Sequence, residues 1–203
     1  MLAYVPSLIM VPEKFPANTI QEFIALAKSK PGGINYGSSG MGGAPHLAVE
    51  MLNAMAGLKL VHVPYKSVMF ALVDLMGGQV QMTISVLPAA LPMIRQGKLR
   101  ALGVTSKKRS PQLPNVPAIA ETIAGFENIG WFGLMVAAGT PKEIVEKIYR
   151  DTVRALEAPD IKSRFEGLGM APVGNSPADF AKAIREETET WGKIVRERKL
   201  VVE

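Results

Sequence analysis

The sequence has no cysteine, only two histidines, few aromatic residues and no apolar run long enough to cross a bilayer. Without cysteine there is no disulfide framework and no thiolate metal site. The compartment stays open, because exported proteins can also lack cysteine. His46 and His62 do not have metal-ligand spacing to each other, so neither a metal nor a cofactor is expected. Residues 1–10 show no basic start and no cleavage motif, so no signal peptide is visible. Charge is moderate: 23 Lys and Arg against 18 Asp and Glu leave a net +5, and the densest basic run is Lys107-Lys108-Arg109, which reads as a solvated loop. With so few aromatic platforms, that balance leans weakly to anionic ligands and does not point to nucleic acid. What is present is the composition of a folded globular protein, 48% hydrophobic and 20% charged over 203 residues, enough for one large domain or two small ones.

One stretch organises the rest. Ile34-Asn35-Tyr36-Gly37-Ser38-Ser39-Gly40-Met41-Gly42-Gly43-Ala44-Pro45-His46-Leu47 reads as a strand, a glycine-rich turn and a helix start. Pro45 suits the first helical position, where a missing N–H costs nothing, and Leu47, Met51, Leu52 and Met55 then recur on one helical face. Glycines allow a ligand close to the backbone, and the helix start offers unpaired N–H groups and a positive dipole end. Such a turn suits an anion. It lacks the Lys-Ser/Thr ending of a P-loop and the spacing of a dinucleotide fingerprint, and a plain strand-to-helix connection is the alternative.

Along the chain, residues 2–11 are apolar with Pro6 in the middle, which predicts an extended connector or strand pair. Asn18 or Thr19 caps a helix bearing Ile20, Phe23, Ile24, Leu26 and Ala27. Strands are expected over 59–65, 79–85 and 99–105. Helices follow from Lys66-Ser67 to Gly77-Gly78 and over 87–97. Strands alternating with helices through short turns predict an α/β unit with a parallel sheet. Ligands in such sheets bind beyond the carboxyl ends of the strands. The candidate loops are therefore 38–43, 65–67, 85–87 and 105–107. Further on come a Pro-rich loop over 106–124 ending in a short helix, a buried strand over 129–138, and a helix to about residue 158 with Thr140 as cap and Pro141 at its first position. A second helix (160–168), a short strand (171–173) and a long helix opened by Ser176-Pro177 complete the chain.

Taken in order, Lys30-Pro31-Gly32, Asn35-Tyr36, Ser39-Gly40, Gly42 and His46-Leu47 are followed by Val61-His62-Val63-Pro64-Tyr65-Lys66. Gly77-Gly78-Gln79-Val80, Gly97-Lys98-Leu99-Arg100-Ala101-Leu102, Lys108-Arg109-Ser110, Trp131-Phe132-Gly133 and Gly139-Thr140-Pro141 come after. Over nearly the whole chain this set resembles the receptor family of tripartite tricarboxylate transporters, periplasmic solute-binding proteins for small carboxylates. The resemblance implies an α/β, type II periplasmic-binding fold, with two lobes of parallel-rich mixed sheet and the ligand between them. It implies a periplasmic location and a membrane permease as partner. Against that family the chain begins at the first crossover, so the signal peptide and the opening part of lobe one are expected to be missing. Residues 9–127 are expected to form the complete lobe two. Residues 1–8 and 128–203 would supply the remainder of lobe one with the crossovers and C-terminal helices. Ser67 stands where the family usually has glycine, and Ser85 where many members carry an aspartate. Losing that carboxylate weakens selection for ligands with an amino group.

The expected ligand-binding residues are Ser38, Ser39, Gly40, Gly42, Gly43, His46, Tyr65, Lys66 and Ser85, with no catalytic residue. His46 is read as bracing the loop by a hydrogen bond, His62 as structural, Lys66 as either a carboxylate clamp or a solvated lysine, and Trp131 as hinge or core packing. A Ser39–His46 nucleophile pair has no third group to orient it and no nucleophile elbow, which leaves a serine hydrolase as a minor alternative. A ligand-sensing domain of a transcription regulator is the other alternative, although no helix-turn-helix is visible. Ile144, Ile148, Leu156, Phe180, Ile184 and Trp191 are expected to be partly exposed, which predicts self-association.

Overall fold

A computed structural model describes residues 1–197, so the end of the 128–203 segment lies outside the described residues. The fold is built on β1 (Ala3–Pro12), a single strand rather than a connector or strand pair. Its first half, Ala3 to Pro6, pairs antiparallel with β6 (Ile129–Phe132), and Ala3 and Tyr4 also pair with β7 (Ala171–Pro172). Its second half pairs antiparallel with β4 (Met82–Val86) on one side and β5 (Leu99–Val104) on the other. Pro6 falls where β1 changes neighbours. A residue without an N–H is tolerated there because the ladder is interrupted on one side.

Beyond β4, β2 (Asn35–Ser38) and β3 (Val61–Pro64) extend the sheet in parallel, in the order β3-β2-β4-β1-β5. The sheet is mixed, with antiparallel β1 set among strands that share one direction. Alternation along the strands sends side chains to two cores. Ile9, Val11, Tyr36, Met82 and Ile84 pack against α1 (Ile20–Ser29) and α2 (Ala44–Ala56). Leu8, Met10, Leu72, Leu75 and Leu91 form the other core with α3 (Val68–Met76) and α4 (Leu87–Arg95). The helix starts follow local chemistry. The Thr19 hydroxyl accepts the Glu22 N–H at 3.1 Å, and the Ser67 hydroxyl accepts the Met69 N–H at 3.3 Å.

The second half departs from expectation in three places. The strand over 129–138 stops at Phe132, and Leu134, Met135 and Val136 are exposed rather than buried. β6 has β1 as its partner, and the last bond there runs from the Leu2 N–H to the Phe132 carbonyl. Past that bond no described strand pairs with the segment. The helix α5 (Lys142–Glu157) is preceded by Pro141 in the cap position with no side-chain cap bond, while the Thr140 hydroxyl bonds the Ala137 carbonyl. Leu156 and Phe180 are buried, whereas Ile144 is exposed and Ile148, Ile184 and Trp191 are half-buried. Phe180 belongs to α7 (Pro177–Glu197), which follows α6 (Pro159–Gly167) and β7. It is covered because Trp131 meets it edge-on, with centroids 5.0 Å apart. Gly133 also leaves its ring room that a Cβ would fill. The Trp131 indole N–H donates to Glu187 on α7, a packing role. Beside this group an apolar cavity of about 340 Å³ opens between Leu2, Val136, Ile148, Val153 and Ile184.

Candidate functional site

β2, β3 and β4 are parallel, and β5 runs the same way because it and β4 both pair antiparallel with β1. Their carboxyl ends therefore lie along one edge, which carries the loops 38–43, 65–67, 85–87 and 105–107. Ser7 of β1 closes this edge. Its N–H donates to Thr105 Oγ1 at 2.9 Å, and its carbonyl accepts the Thr105 N–H at 2.9 Å.

The glycine-rich loop is held by a compact set of bonds. The Ser38 hydroxyl bonds both ends of Gly40, accepting its N–H at 3.2 Å and reaching its carbonyl at 3.1 Å. The Gly43 N–H donates to the Gly40 carbonyl at 3.3 Å, and the Gly42 N–H donates to His46 Nδ1 at 3.0 Å. Gly42 has φ 74°, a conformation that costs an L side chain strain, so the sequence needs glycine there. The bracing role expected of His46 is what the ring performs. With Nδ1 accepting, the neutral ring carries its proton on Nε2.

His62 is the residue that sequence reasoning underrated. Parallel register sets Tyr36 beside His62, and the two rings stack at 5.0 Å. His62 also stacks on His46 at 4.2 Å, and its Nε2 lies 2.6 Å from Ser38 Oγ. Below the stack, Glu50 Oε1 accepts from the Tyr36 hydroxyl at 3.2 Å and from Asn53 Nδ2 at 3.0 Å. Burial lowers both histidines. For His62 the neighbouring His46 adds to burial and outweighs Glu50, so the ring falls to about 4. Both rings are neutral at pH 7, which for His46 the Gly42 bond also requires.

Tyr65 joins this cluster through its backbone, its N–H donating to the Ser38 carbonyl at 2.9 Å. Its hydroxyl turns away to Asp74 of α3 at 2.8 Å. Burial first, and then that bond and the carboxylate's charge, push the phenol up to about 12. Gly37 makes this approach possible, because a Cβ there would sit 2.8 Å from the Ala71 Cβ. Ser39 is exposed, with its hydroxyl over Gly43. Since His46 Nδ1 is engaged by Gly42, the Ser39–His46 pair does not form. Lys66 is exposed and makes no ion pair among the described residues, in keeping with either role foreseen for it. Ser85 is buried at the same edge, and its hydroxyl has no hydrogen-bond partner among the described residues. Strand alternation, however, puts it on the α3–α4 face, opposite the α2 face that takes Ser38. Ser38, Gly40, Gly42, Gly43 and His46 thus form one bonded cluster, Tyr65 adjoins it, and Ser85 reaches the edge from the other side. Four backbone donors, those of Ser39 and Met41 in the glycine loop and of Ala44 and His46 in the first turn of α2, make no hydrogen bond among the described residues.

The description "Tripartite tricarboxylate transporter family receptor" matches residues 1–200. A protein of Pseudomonas sp. (strain P51), the UPF0065 protein in the tcbD-tcbE intergenic region, is 37% identical over 98% of this chain and 60% of its own length. Protein BugT of Bordetella pertussis is 32% identical over 97% of this chain and 61% of its own length. The chain thus spans about three fifths of the length of these two relatives. Among solved structures, R. palustris Rpa4515 with adipate superposes with a TM-score of 0.93 at 33% identity, covering 98% of this chain and 67% of that one. MatC from Rhodopseudomonas palustris with bound malate gives 0.85 at 29% identity, covering 95% and 67%. The fold is that of periplasmic binding proteins, and these relatives are receptors rather than enzymes.

Proposed function

The chain belongs to the tripartite tricarboxylate transporter family of receptors, and on that premise we propose that it serves the capture of a small organic carboxylate in the periplasm. The carboxylate sits at the carboxyl edge of β2, β3 and β4. It meets the free N–H groups of Ser39, Met41, Ala44 and His46, the Ser39 hydroxyl and the Lys66 ammonium. The observation that carries this reading is the set of uncommitted donors in the glycine loop and the first turn of α2, in a chain whose relatives hold adipate and malate. Each helix-end contact is worth about 0.3–1 kcal/mol, so several loops must converge to hold the anion. Tyr65 and Ser85 line the same edge, and Ser85 offers a hydroxyl that is already desolvated and unpaired among the described residues.

Two lobes close over the ligand about β1: residues 9–127, which Ser7 and Leu8 join by pairing with β4 and β5, and the remainder. The exchange of strand partners between Pro6 and Ser7 supports a hinge there. The loaded receptor then delivers its ligand to a membrane permease of a tripartite transporter.

The loops offer donors and a lysine, and the carboxylate that would greet an amino group is replaced by Ser85. Dicarboxylates are therefore preferred to amino acids of the same size. Calorimetric titration with succinate, malate, adipate and citrate, against aspartate and glutamate, tests this. Tighter binding of the amino acids would refute the charge preference, and silence with every carboxylate would refute the carboxylate reading itself.

A further inference from the structure

We propose that His46 and His62 are positioning residues of the carboxylate site: their ring nitrogens, rather than their bulk, set the loop shape that frees the donors of Ser39, Met41 and Ala44. The inference rests on the carboxylate reading above. The loop spends part of its hydrogen-bonding capacity on its own side chains. Gly40 and Gly42 give their N–H groups to Ser38 Oγ and His46 Nδ1, at 3.2 and 3.0 Å. Both anchors lead back to the same aromatic stack. His46 Nδ1 holds Gly42 directly, and His62 Nε2, 2.6 Å from Ser38 Oγ, fixes the hydroxyl that holds Gly40. With Gly40 and Gly42 turned inward and Gly43 bonded to the Gly40 carbonyl, Ser39, Met41 and Ala44 have their N–H groups left over among the described residues.

The arrangement also requires a neutral His46. A protonated His46 has no acceptor for Gly42, and two imidazolium rings 4.2 Å apart repel. The groups that face the pair are the Glu50 carboxylate on α2 and the Tyr36 phenol on β2. Neither ring need touch the ligand.

A purely structural role and a positioning role make opposite predictions. Phenylalanine keeps the volume and the stack but removes the ring nitrogens. Asparagine at 46 places Oδ1 where Nδ1 stood, and glutamine at 62 places an amide group where Nε2 stood. If bulk matters, H46F and H62F are the tolerated variants. If the nitrogens position the loop, H46N and H62Q bind malate or adipate within about threefold of the wild-type chain, and H46F and H62F lose about tenfold or more. Phenylalanine variants with wild-type affinity would overturn the proposal. A second readout does not depend on binding. In amide NMR spectra of the unliganded wild-type chain, the Gly42 resonance follows the protonation of the His46 ring. The Gly40 and Gly42 resonances keep their wild-type shifts in H46N and H62Q. A Gly42 amide blind to His46 protonation would reject the positioning role even if no carboxylate bound. Absence of carboxylate binding with the amide pattern as expected would reject only the ligand assignment.

Discussion

Acidification should loosen this fold through His62 before it reaches most carboxylates. The ring has an ordinary value of 6.5, and burial with His46 as neighbour depresses it to about 4 in the folded chain. The folded state therefore binds fewer protons than the unfolded state between these values. The associated stability is whole above pH 6.5 and is lost as pH falls towards 4. Were the ring wholly withdrawn from water, linkage would take away about 2.5 kcal/mol between pH 7.5 and 4.5. It is only half-buried, so solvent screening reduces the expected loss to about 1 kcal/mol. Urea unfolding at the two pH values measures it. His62→Gln supplies the control, because it keeps an amide beside Ser38 and cannot titrate. The wild-type chain should lose about 1 kcal/mol more than the variant on going to pH 4.5, with the urea slope unchanged. Equal losses would show that the stacked ring is not the group taking up the proton.

Two further substitutions probe the packing that places the site. Gly37→Ala puts a Cβ 2.8 Å from the Ala71 Cβ, and pushing α3 away from β2 should cost about 1–3 kcal/mol in thermal or urea unfolding. A variant as stable as the wild type would mean that α3 yields freely. Tyr65→Phe removes the 2.8 Å bond to the half-buried Asp74 and should cost about 1 kcal/mol in the same assay. No loss would show that the bond contributes nothing net.

Much of the architecture was legible because it is written in local chemistry. Thr19 and Ser67 announce their helices as caps, and Gly57 ends α2 at φ 66°. What failed was whatever depended on a distant partner. The apolar run from Ile129 to Ala138 reads as a buried strand, yet its pairing ends with Phe132 because β1 provides nothing further opposite it. The site shows the same divide. The glycine loop declares itself, and His46 one turn into a helix can be assigned to brace it. His62 cannot be found that way. Its link to Ser38 exists only because β2 and β3 lie in a register that sets Tyr36 against His62. Ser85 reveals the converse: its strand end was correctly assigned to the edge, but the face it takes follows from which residues of β1 and β4 pair.

β1 also shapes how the chain must fold. It is synthesised ahead of every strand it pairs with, and those partners begin at Met82 and extend to Pro172. Its apolar residues 8–11 therefore wait, unsatisfied, until β4 and β5 are made, and its residues 3–6 wait longer still for β6 and β7. β2, α2 and β3 can assemble meanwhile from contacts close in sequence. Closing the long loops that join β1 to β5, β6 and β7 carries the larger entropic barrier, which makes docking of β1 the slow and aggregation-exposed step. The strand that joins β4 and β5 to β6 and β7 in the finished protein is thus the one a chaperone would have most reason to shield.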